Sequence, residues 1–390
     1  VMKFLLICAL CLIDILLIAS PIPVADGLFT GVLVENKIYL SSYIGSKGYV
    51  SIVNADTYEV LGRIPLLGYA GNLINIGNKV GALSQNEGIA TIIDAKTQTK
   101  LATINLGNNS GPYYGVGYEN KIFSTNYSQN SITVSNLDLI PPGVDPELPI
   151  STPIEAVIEV QSVPAYPMVF GDKIFLSTLT GNKIVVISGK TNQIAATLSG
   201  NFQNFVGAIL GDSTYFQIPS AINNPGFVIK QDTNLIDYSL PNTFVQTAPK
   251  SILNIDAGGH IKTIGEKYII ICSFSDLNTT VSIYNVENGA QSSSIVAGKY
   301  CFIAAIKGSK AYVTSYDDNK IFIFDAKNIE NSLPILVASI NGEGSPTQAI
   351  VYGDRLFITN RNHSSLSVFD TNTNQFVDTS LPQLTSFNHD

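Results

Sequence analysis

The chain has 390 residues, with 22 Lys and Arg against 30 Asp and Glu, a formal net charge of −8 and an isoelectric point near 4.9. Nucleic acids bind to clustered basic side chains, so this balance excludes nucleic acid as a partner. Apolar residues make up 45% of the sequence and charged residues only 13%. This composition predicts a large buried core under a surface of uncharged polar side chains.

The N-terminal residues 1–25 have the pattern of a secretory signal peptide. Lys3 precedes an apolar stretch over residues 4–19, and small residues follow at Ala19 and Ala25. The apolar stretch is short for a membrane span. We therefore predict a secreted or cell-surface protein in which residues 1–25 are a signal peptide or, alternatively, a retained N-terminal anchor. No other transmembrane domain is expected.

A short apolar strand, a tight turn and a second apolar strand recur eight times along the rest of the chain. All eight turns begin with Gly or Glu, and seven of the eight end with Lys or Arg. They occupy residues 35–37, 77–79, 119–121, 171–173, 211–213, 265–267, 308–310 and 353–355. A spacing of 40 to 54 residues built from short strands is typical of a β-propeller with one four-stranded blade per repeat.

The predicted fold is therefore all-β, a single β-propeller of four-stranded antiparallel blades over residues 26–390. Propeller blades bury their faces only against one another, so the repeats form one domain. Eight blades are expected, with seven as the alternative. The expected blades are 26–67, 68–108, 109–161, 162–200, 201–254, 255–298, 299–343 and 344–383.

Two recurring residue types within the repeat have structural explanations. The basic residue that ends each turn is expected to be a solvated turn residue. The Asp that ends the third strand, as at Asp94, Asp325 and Asp370, is expected to accept a hydrogen bond from a backbone N–H group two residues further on. Residues 137–153 interrupt the period and contain five prolines, so they are expected to form a surface excursion rather than sheet.

Some repeats resemble a known family. Residues 312–315 (Tyr-Val-Thr-Ser) with 321–326, and residues 357–360 (Phe-Ile-Thr-Asn) with 366–371, are similar to the repeat of the YVTN-type β-propellers. The resemblance implies an extracellular or cell-envelope protein, often of unassigned function. Some lactonases and redox-enzyme subunits are similar in fold, but a shared fold transfers no catalytic residue.

The period also predicts which residues surround one mouth of the central channel. Strands alternate in direction, so the residue five positions before each turn lies near the face that carries the second-to-third-strand loops. These residues are Thr30, Asn72, Tyr114, Tyr166, Val206, His260, Ile303 and Gln348. The six that can hydrogen-bond, all except Val206 and Ile303, are predicted ligand-binding residues. The alternative is that they are polar because water fills the channel.

An exported protein can be glycosylated and can form disulfides. The triplets at Asn108, Asn126, Asn278 and Asn362 are predicted glycosylation sites, and all four map to that same face. A disulfide between Cys272 and Cys301 is a further expectation. Facing sheets lie about 10 Å apart, too far for a disulfide except near the axis, so two buried thiols are the alternative.

Enzyme signatures are missing from the sequence. The three histidines, at 260, 363 and 389, are widely separated, so no metal and no cofactor is expected. The leading hypothesis is a non-catalytic binding or structural module for protein or glycan partners at the cell envelope. The alternative is a lactonase-like hydrolase with a metal at the channel mouth, and a third hypothesis is an accessory subunit of a redox complex.

Overall fold

The computed structural model describes residues 21–24, 30–44, 47–181, 183–199, 207–210, 213–218, 226–232, 250–255, 259–274, 279–288, 295–326 and 335–379. Within them, the regular structure consists of short β-strands and one 3₁₀ helix at Leu137–Leu139. Eight sheets lie in the described part of the chain, one for each sequence repeat. Eight as the number of blades stays a prediction.

The first four sheets follow one another along the chain. Sheet 1 contains β2 Gly31–Val34, β3 Lys37–Ile44, β4 Lys47–Asn54 and β5 Val60–Pro65. Sheet 2 contains β6 Ala70–Ile76, β7 Lys79–Ser84, β8 Ile89–Asp94 and β9 Thr99–Asn105. Sheet 3 contains β10 Pro112–Tyr118, β11 Lys121–Asn126, β12 Ser131–Asn136 and β14 Ile154–Glu159. Sheet 4 contains β15 Pro164–Phe170, β16 Lys173–Thr178, β17 Lys183–Ser188 and β18 Gln193–Ser199.

The remaining sheets repeat this order. Sheet 5 contains β19 Gly207–Leu210, β20 Ser213–Ile218, β21 Gly226–Asp232 and β22 Lys250–Ile255. Sheet 6 contains β23 Gly259–Ile264, β24 Tyr268–Phe274, β25 Thr279–Asn285 and β26 Ile295–Val296. Sheet 7 contains β27 Cys301–Lys307, β28 Lys310–Ser315, β29 Lys320–Asp325 and β30 Ile335–Asn341. Sheet 8 contains β31 Pro346–Tyr352, β32 Arg355–Asn360, β33 Ser365–Asp370, β34 Gln375–Phe376 and, from the N-terminal side, β1 Ile22–Pro23.

Successive strands of each sheet pair antiparallel, as the sequence predicts, and a tight turn joins the first strand to the second in the sheets where that turn is described. The first turn residue has a positive φ, between 52° and 62°, in seven hairpins, for example at Glu35 and Gly353. This conformation is required in two-residue hairpins because their twist must match that of the strands. At the third-to-fourth-strand turns, the Asp94 side chain accepts from the backbone N–H groups of Lys96 and Thr97, each at 2.8 Å. The expected turn chemistry is confirmed there.

The apolar core lies between the sheets rather than within any one of them. Each buried cluster joins two consecutive sheets, as when Tyr39 and Val50 of sheet 1 pack with Val80 and Ile93 of sheet 2. The first strand of every sheet contacts the first strands of both neighbouring sheets, and β31 of sheet 8 contacts β2 of sheet 1. The first strands therefore surround a common axis, with the last sheet beside the first.

Sheet 8 is completed from both ends of the described chain. β34 pairs with the later part of β33, and β1 pairs with its beginning, where Ile22 lies opposite Leu366. Ile22 is only 3% exposed, and Val24 donates its N–H to the Ser364 carbonyl at 2.9 Å. Residues 22–24, which the sequence placed in the N-terminal segment, thus belong to the sheet structure. Residues 1–20 lie outside the described residues.

The proline-rich insertion covers an exposed sheet edge. Its β13, Pro149–Ile150, adds a fifth, parallel strand to sheet 2 beside β9. The Thr103 hydroxyl of β9 donates to the Pro146 carbonyl at 2.6 Å, and Lys100 pairs with Glu147. The expectation that this insertion makes no sheet is therefore wrong at residues 149–150. Covering an outer strand removes a row of unpaired backbone groups that otherwise promotes aggregation.

The packing of β1 against sheets 8 and 1 predicts that a substitution in β1 lowers the stability of the protein. Ile22→Ala removes buried methyl groups from the cluster shared by sheets 8 and 1, so the free energy of unfolding should fall by about 2–5 kcal/mol. Urea unfolding measures this change. The matched control is Val157→Ala on β14, where the side chain is 54% exposed, and its effect should stay within about 0.5 kcal/mol. Equal effects of the two substitutions would contradict the closing role.

Candidate functional site

Two opposite faces of the molecule follow from the strand directions. We call the face with the second-to-third-strand loops and the sheet-to-sheet connections the loop face; it includes residues 106–111 and 127–130. The other face carries the first-to-second-strand turns, such as 35–36 and 353–354, and is called the turn face. The predicted mouth residues lie at the loop-face ends of the first strands.

β-Bulges distort these first strands at the predicted mouth positions. The strand register shifts at Ala70/Asn72, Pro112/Gly115, Ala165/Met168, Ile303/Ala305 and Pro346/Ala349. A bulge places two residues opposite one and redirects a side chain. Asn72, Tyr114, Tyr166 and Gln348 all lie in or beside a bulge. Sequence reasoning identified these positions without identifying the distortion that orients them.

A hydroxyl on the second strand satisfies the backbone of several bulges. The Thr125 hydroxyl accepts from the Tyr114 N–H at 3.0 Å and donates to the Tyr114 carbonyl at 3.0 Å. Thr359 is hydrogen-bonded to the N–H and carbonyl of Gln348 in the same way, at 3.1 and 3.3 Å. The equivalent residues, six positions after the start of each turn, are Ser41, Ser177 and Thr314. A Ser or Thr at this position accompanies the bulges of sheets 3, 4, 7 and 8, whereas the bulge of sheet 2 has Leu83 there.

The polar mouth residues do not form one continuous ring. Thr30 has an inter-sheet structural contact, because its hydroxyl accepts from the Leu73 N–H at 3.0 Å. Gln348 is exposed and Asn72 half-buried. Val206, which the pattern also placed there, lies outside the described residues.

Two predicted mouth residues, Tyr114 and Tyr166, are in direct contact. Their ring centroids are 4.7 Å apart, and Tyr113 packs edge-on against Tyr114 at 4.5 Å. Neighbouring residues of a regular strand point to opposite faces, so the contact between Tyr113 and Tyr114 depends on the bulge. Burial and hydrogen bonds to the other two tyrosines raise the pKa of Tyr114, so its hydroxyl stays protonated. Tyr113 is 42% exposed, and sequence reasoning missed it.

His260 has a different environment, on the first strand of sheet 6. Its ring packs edge-on against Phe302 of sheet 7, with centroids 4.9 Å apart. Burial, together with the charge of nearby Lys262, lowers the pKa of His260 to about 4. The Lys262 ammonium donates to the Ala304 carbonyl at 3.1 Å. His260 is therefore neutral at physiological pH, held in a largely buried contact between two sheets.

The predicted glycosylation sites differ in how exposed they are. Asn126 is fully buried and donates to the hydroxyls of Ser131 and Thr133 at 3.0 and 2.8 Å, so its prediction as a glycosylation site is wrong for the folded chain. Asn108 and Asn362 are exposed on the loop face and stay predicted sites. Asn278 lies outside the described residues.

The predicted disulfide is not formed. Cys272 and Cys301 are free thiols, both fully buried in the cluster between sheets 6 and 7. The Cys301 Sγ donates to the Ala297 carbonyl at 2.8 Å. The two cysteines come from different sheets, and the thiols pack as small apolar groups between them, which is the alternative that the sequence left open.

The repeated basic residues of the turn face are not simply solvated, which corrects the expectation from the sequence. Lys121 donates to the Asn192 side chain of the next sheet at 3.2 Å and is only 13% exposed. Lys310 reaches Asn374 of sheet 8 at 3.4 Å. Arg355 of sheet 8 donates to the Tyr58 hydroxyl of sheet 1 at 3.4 Å. These cations link consecutive sheets.

A cavity of about 300 Å³ lies on the turn face, between sheets 8 and 1. Its lining residues are Ala55, Asp56, Tyr58, Tyr352, Gly353, Asp354, Arg355, Asp370 and Asn372. Asp56 accepts from the Tyr352 hydroxyl at 2.8 Å and from Asn36 at 2.7 Å. Asp370 pairs with Arg355, and Asp354 pairs with Lys307. The Asp56 carboxylate thus links sheets 1 and 8, Asp370 pairs within sheet 8, and Asp354 links sheet 8 to sheet 7.

Within the described residues, no group of three or more His, Cys, Asp or Glu side chains is arranged to hold a metal ion. No helix in the described part of the chain is long and apolar enough to cross a membrane. The geometry supplies instead a group of tyrosines at one channel mouth and a hydrogen-bonded seam on the opposite face.

Comparison with known proteins defines the fold class. BamB from Moraxella catarrhalis is 13% identical, with a TM-score of 0.57, 90% of this chain and 93% of that chain covered. Apo AztD from Citrobacter koseri is 12% identical, with a TM-score of 0.57 and 87% and 93% covered. The Cps50 (Swd1) β-propeller domain of Myceliophteria thermophila is 9% identical, with a TM-score of 0.52 and 79% and 100% covered.

The chain therefore has the β-propeller fold, and the prediction of an all-β propeller of four-stranded antiparallel sheets is confirmed. At these identities the similarity concerns the fold alone. No family model matches the sequence, and no curated protein matches it. The resemblance to the YVTN-type repeat stays a prediction.

The two hydrogen bonds between the Thr125 hydroxyl and the Tyr114 backbone predict the effect of an isosteric substitution. Thr125→Val keeps the side-chain shape but leaves the Tyr114 N–H and carbonyl without their partner, so the free energy of unfolding should fall by about 1–3 kcal/mol. Urea unfolding gives the value. Thr99→Val, at an exposed strand position, is the control and should change it by less than about 0.5 kcal/mol. An unchanged stability of Thr125→Val would show that the hydroxyl is dispensable.

The environment of His260 predicts a pH dependence. Its pKa is about 4 when folded and 6.5 in its ordinary state, so between these values the unfolded chain binds more protons. Stability should therefore fall as the pH drops from about 6.5 towards about 4. His260→Gln should flatten part of this slope, measured as urea midpoints at several pH values in that window. His363→Gln, an exposed position, is the control and should leave the slope unchanged. A wild-type slope retained in His260→Gln would contradict the assignment.

Proposed function

We propose that this protein is a secreted or cell-surface β-propeller that acts as a non-catalytic binding module, with its binding site on the loop face. The partner is a protein or a glycan of the cell envelope. The observation that carries the proposal is the contact of Tyr113, Tyr114 and Tyr166 at the channel mouth, where sheet 3 contributes two rings and sheet 4 contributes one. Tyrosine combines a large apolar surface with a polar edge and is enriched at binding surfaces.

Several other features support the loop face over the turn face. Large exposed side chains cluster at its connections, including Leu67, Tyr69, Tyr127 and Tyr300, which are 38–66% exposed. By contrast, the carboxylates in the turn-face cavity are already hydrogen-bonded to neighbouring groups. The apolar stretch over residues 4–19 supports export. The exposed triplets at Asn108 and Asn362 are compatible with an exported glycoprotein.

Attachment through opposite faces tests the proposal. Two variants each carry one surface cysteine, Lys96→Cys on the turn face or Gln129→Cys on the loop face, with Cys8 and Cys11 changed to Ser. Both sites are exposed, and the remaining thiols are buried. Each protein is coupled to a solid support through that cysteine and incubated with a solubilised envelope fraction.

Coupling through Lys96→Cys leaves the loop face open and should retain a saturable partner. Coupling through Gln129→Cys covers the loop face and should retain less than about a tenth as much. Equal retention in both orientations would contradict a loop-face site, and no saturable retention in either would contradict a binding module. Quantitative mass spectrometry and glycan staining of the eluates give the amounts.

A further inference from the structure

The three tyrosines at the channel mouth form a rigid surface, which we call the tyrosine platform: Tyr113, Tyr114 and Tyr166. Tyr113 and Tyr114 come from β10 of sheet 3, and Tyr166 comes from β15 of sheet 4. The ring centroids are separated by 4.5 and 4.7 Å, with ring planes at 71° and 39°. Rings from two sheets therefore meet at an angle and present both faces and hydroxyl edges at the mouth.

The backbone holds this arrangement at a local energetic cost. Tyr166 has a φ of 46°, in the left-handed region that a bulky side chain rarely adopts. Residues kept in such conformations cost about 1–3 kcal/mol and cluster at ligand sites. The Thr125 hydroxyl fixes the Tyr114 backbone from both sides, so the rings are mounted on paired strands instead of free loops. A surface ordered in advance loses little conformational entropy on binding.

The platform suits an uncharged ligand that has an apolar face and polar edges. Tyr114 lies at the centre of the platform, and its burial, together with its hydrogen bonds to the other two tyrosines, raises its pKa, so this central hydroxyl is uncharged. Asn72 lies at the corresponding position of sheet 2 and supplies an amide. Pyranose rings combine a face of C–H groups, which stacks on an aromatic ring, with hydroxyls that hydrogen-bond to phenol and amide groups.

We propose that the tyrosine platform binds a neutral pyranose residue of a glycan, with the sugar stacked on Tyr113 and its hydroxyls hydrogen-bonded at Tyr114 and Tyr166. This inference rests on the proposed function and specifies its ligand class. A glycan fits better than a folded protein, because the platform is only three tyrosine rings wide, which matches a sugar ring rather than the roughly 800 Å² that a stable protein partner covers. Tyr113, at 42% exposure, is the ring open to the ligand.

The experiment begins with an array of neutral oligosaccharides, probed with the full chain. Any ligand found is then titrated by calorimetry against wild type, Tyr113→Ala, Tyr166→Ala and Tyr113→Phe. The two alanine variants should each weaken binding at least about tenfold, because a stacking surface is lost. Tyr113→Phe keeps the ring and should bind within about threefold of wild type. Thermal melting verifies that each variant is folded.

Tyr118→Ala is the matched control, because Tyr118 is a tyrosine of the same strand, β10, but lies at its turn-face end. It should bind the glycan as wild type does. Glycan binding that survives both Tyr113→Ala and Tyr166→Ala would overturn the proposal, and so would the absence of any neutral glycan ligand. In the latter case, orientation-dependent capture of a protein partner would leave the proposed function standing, whereas no capture at all would remove both.

Discussion

Each sheet of this protein has two apolar faces, so no sheet can bury its own core. Val50 and Ile52 of sheet 1 are buried only because sheet 2 covers them, and the same holds for each cluster around the ring. The hydrophobic effect scales with the area removed from water, so the contribution of every sheet depends on both of its neighbours. Joining sheet 8 to sheet 1 therefore covers the one face of each that no other sheet can cover.

Three kinds of contact make that junction. The β1 strand adds backbone hydrogen bonds and the buried Ile22 to the edge of β33. The Tyr58 ring of sheet 1 packs near Phe357 of sheet 8, with ring centroids 6.0 Å apart, while its hydroxyl meets Arg355. Tyr58 has a φ of 63°, unusual for an aromatic residue. The strained turn is tolerated because the packing and the hydrogen bonds on both sides fix it.

The repeated residues that resemble the YVTN motif have structural roles in this protein. The first position is a buried aromatic ring, as at Tyr39, Phe123 and Tyr312. The third is the hydroxyl that satisfies the bulge, and the fourth, as at Asn360, hydrogen-bonds to the third strand. The repeated residues are therefore those that pack the sheets and hydrogen-bond their strands. The residues of the tyrosine platform are not repeated from sheet to sheet, and the proposed function rests on them.

Much of the fold followed from periodicity because hairpin turns are local: a positive φ and a side-chain hydrogen bond involve residues close in sequence. Non-local effects did not follow. The partner of Lys121 is Asn192 in another sheet, so its burial was missed, and a bulge that depends on Thr125 was needed to bring Tyr113 beside Tyr114. Asn126 matched a surface triplet, yet the pairing of β11 with β12 buries it.

The pairing of β1 with β33 also affects the order in which the protein can fold during synthesis. During synthesis, residues 22–23 leave the ribosome about 340 residues before their partners at 365–366. At about 5–20 residues per second, the first strand waits on the order of half a minute for its place. During that interval the outer face of sheet 1 has no neighbour, and its apolar side chains are open to aggregation or to chaperones. That face of the nascent chain therefore stays uncovered until sheet 8 is made.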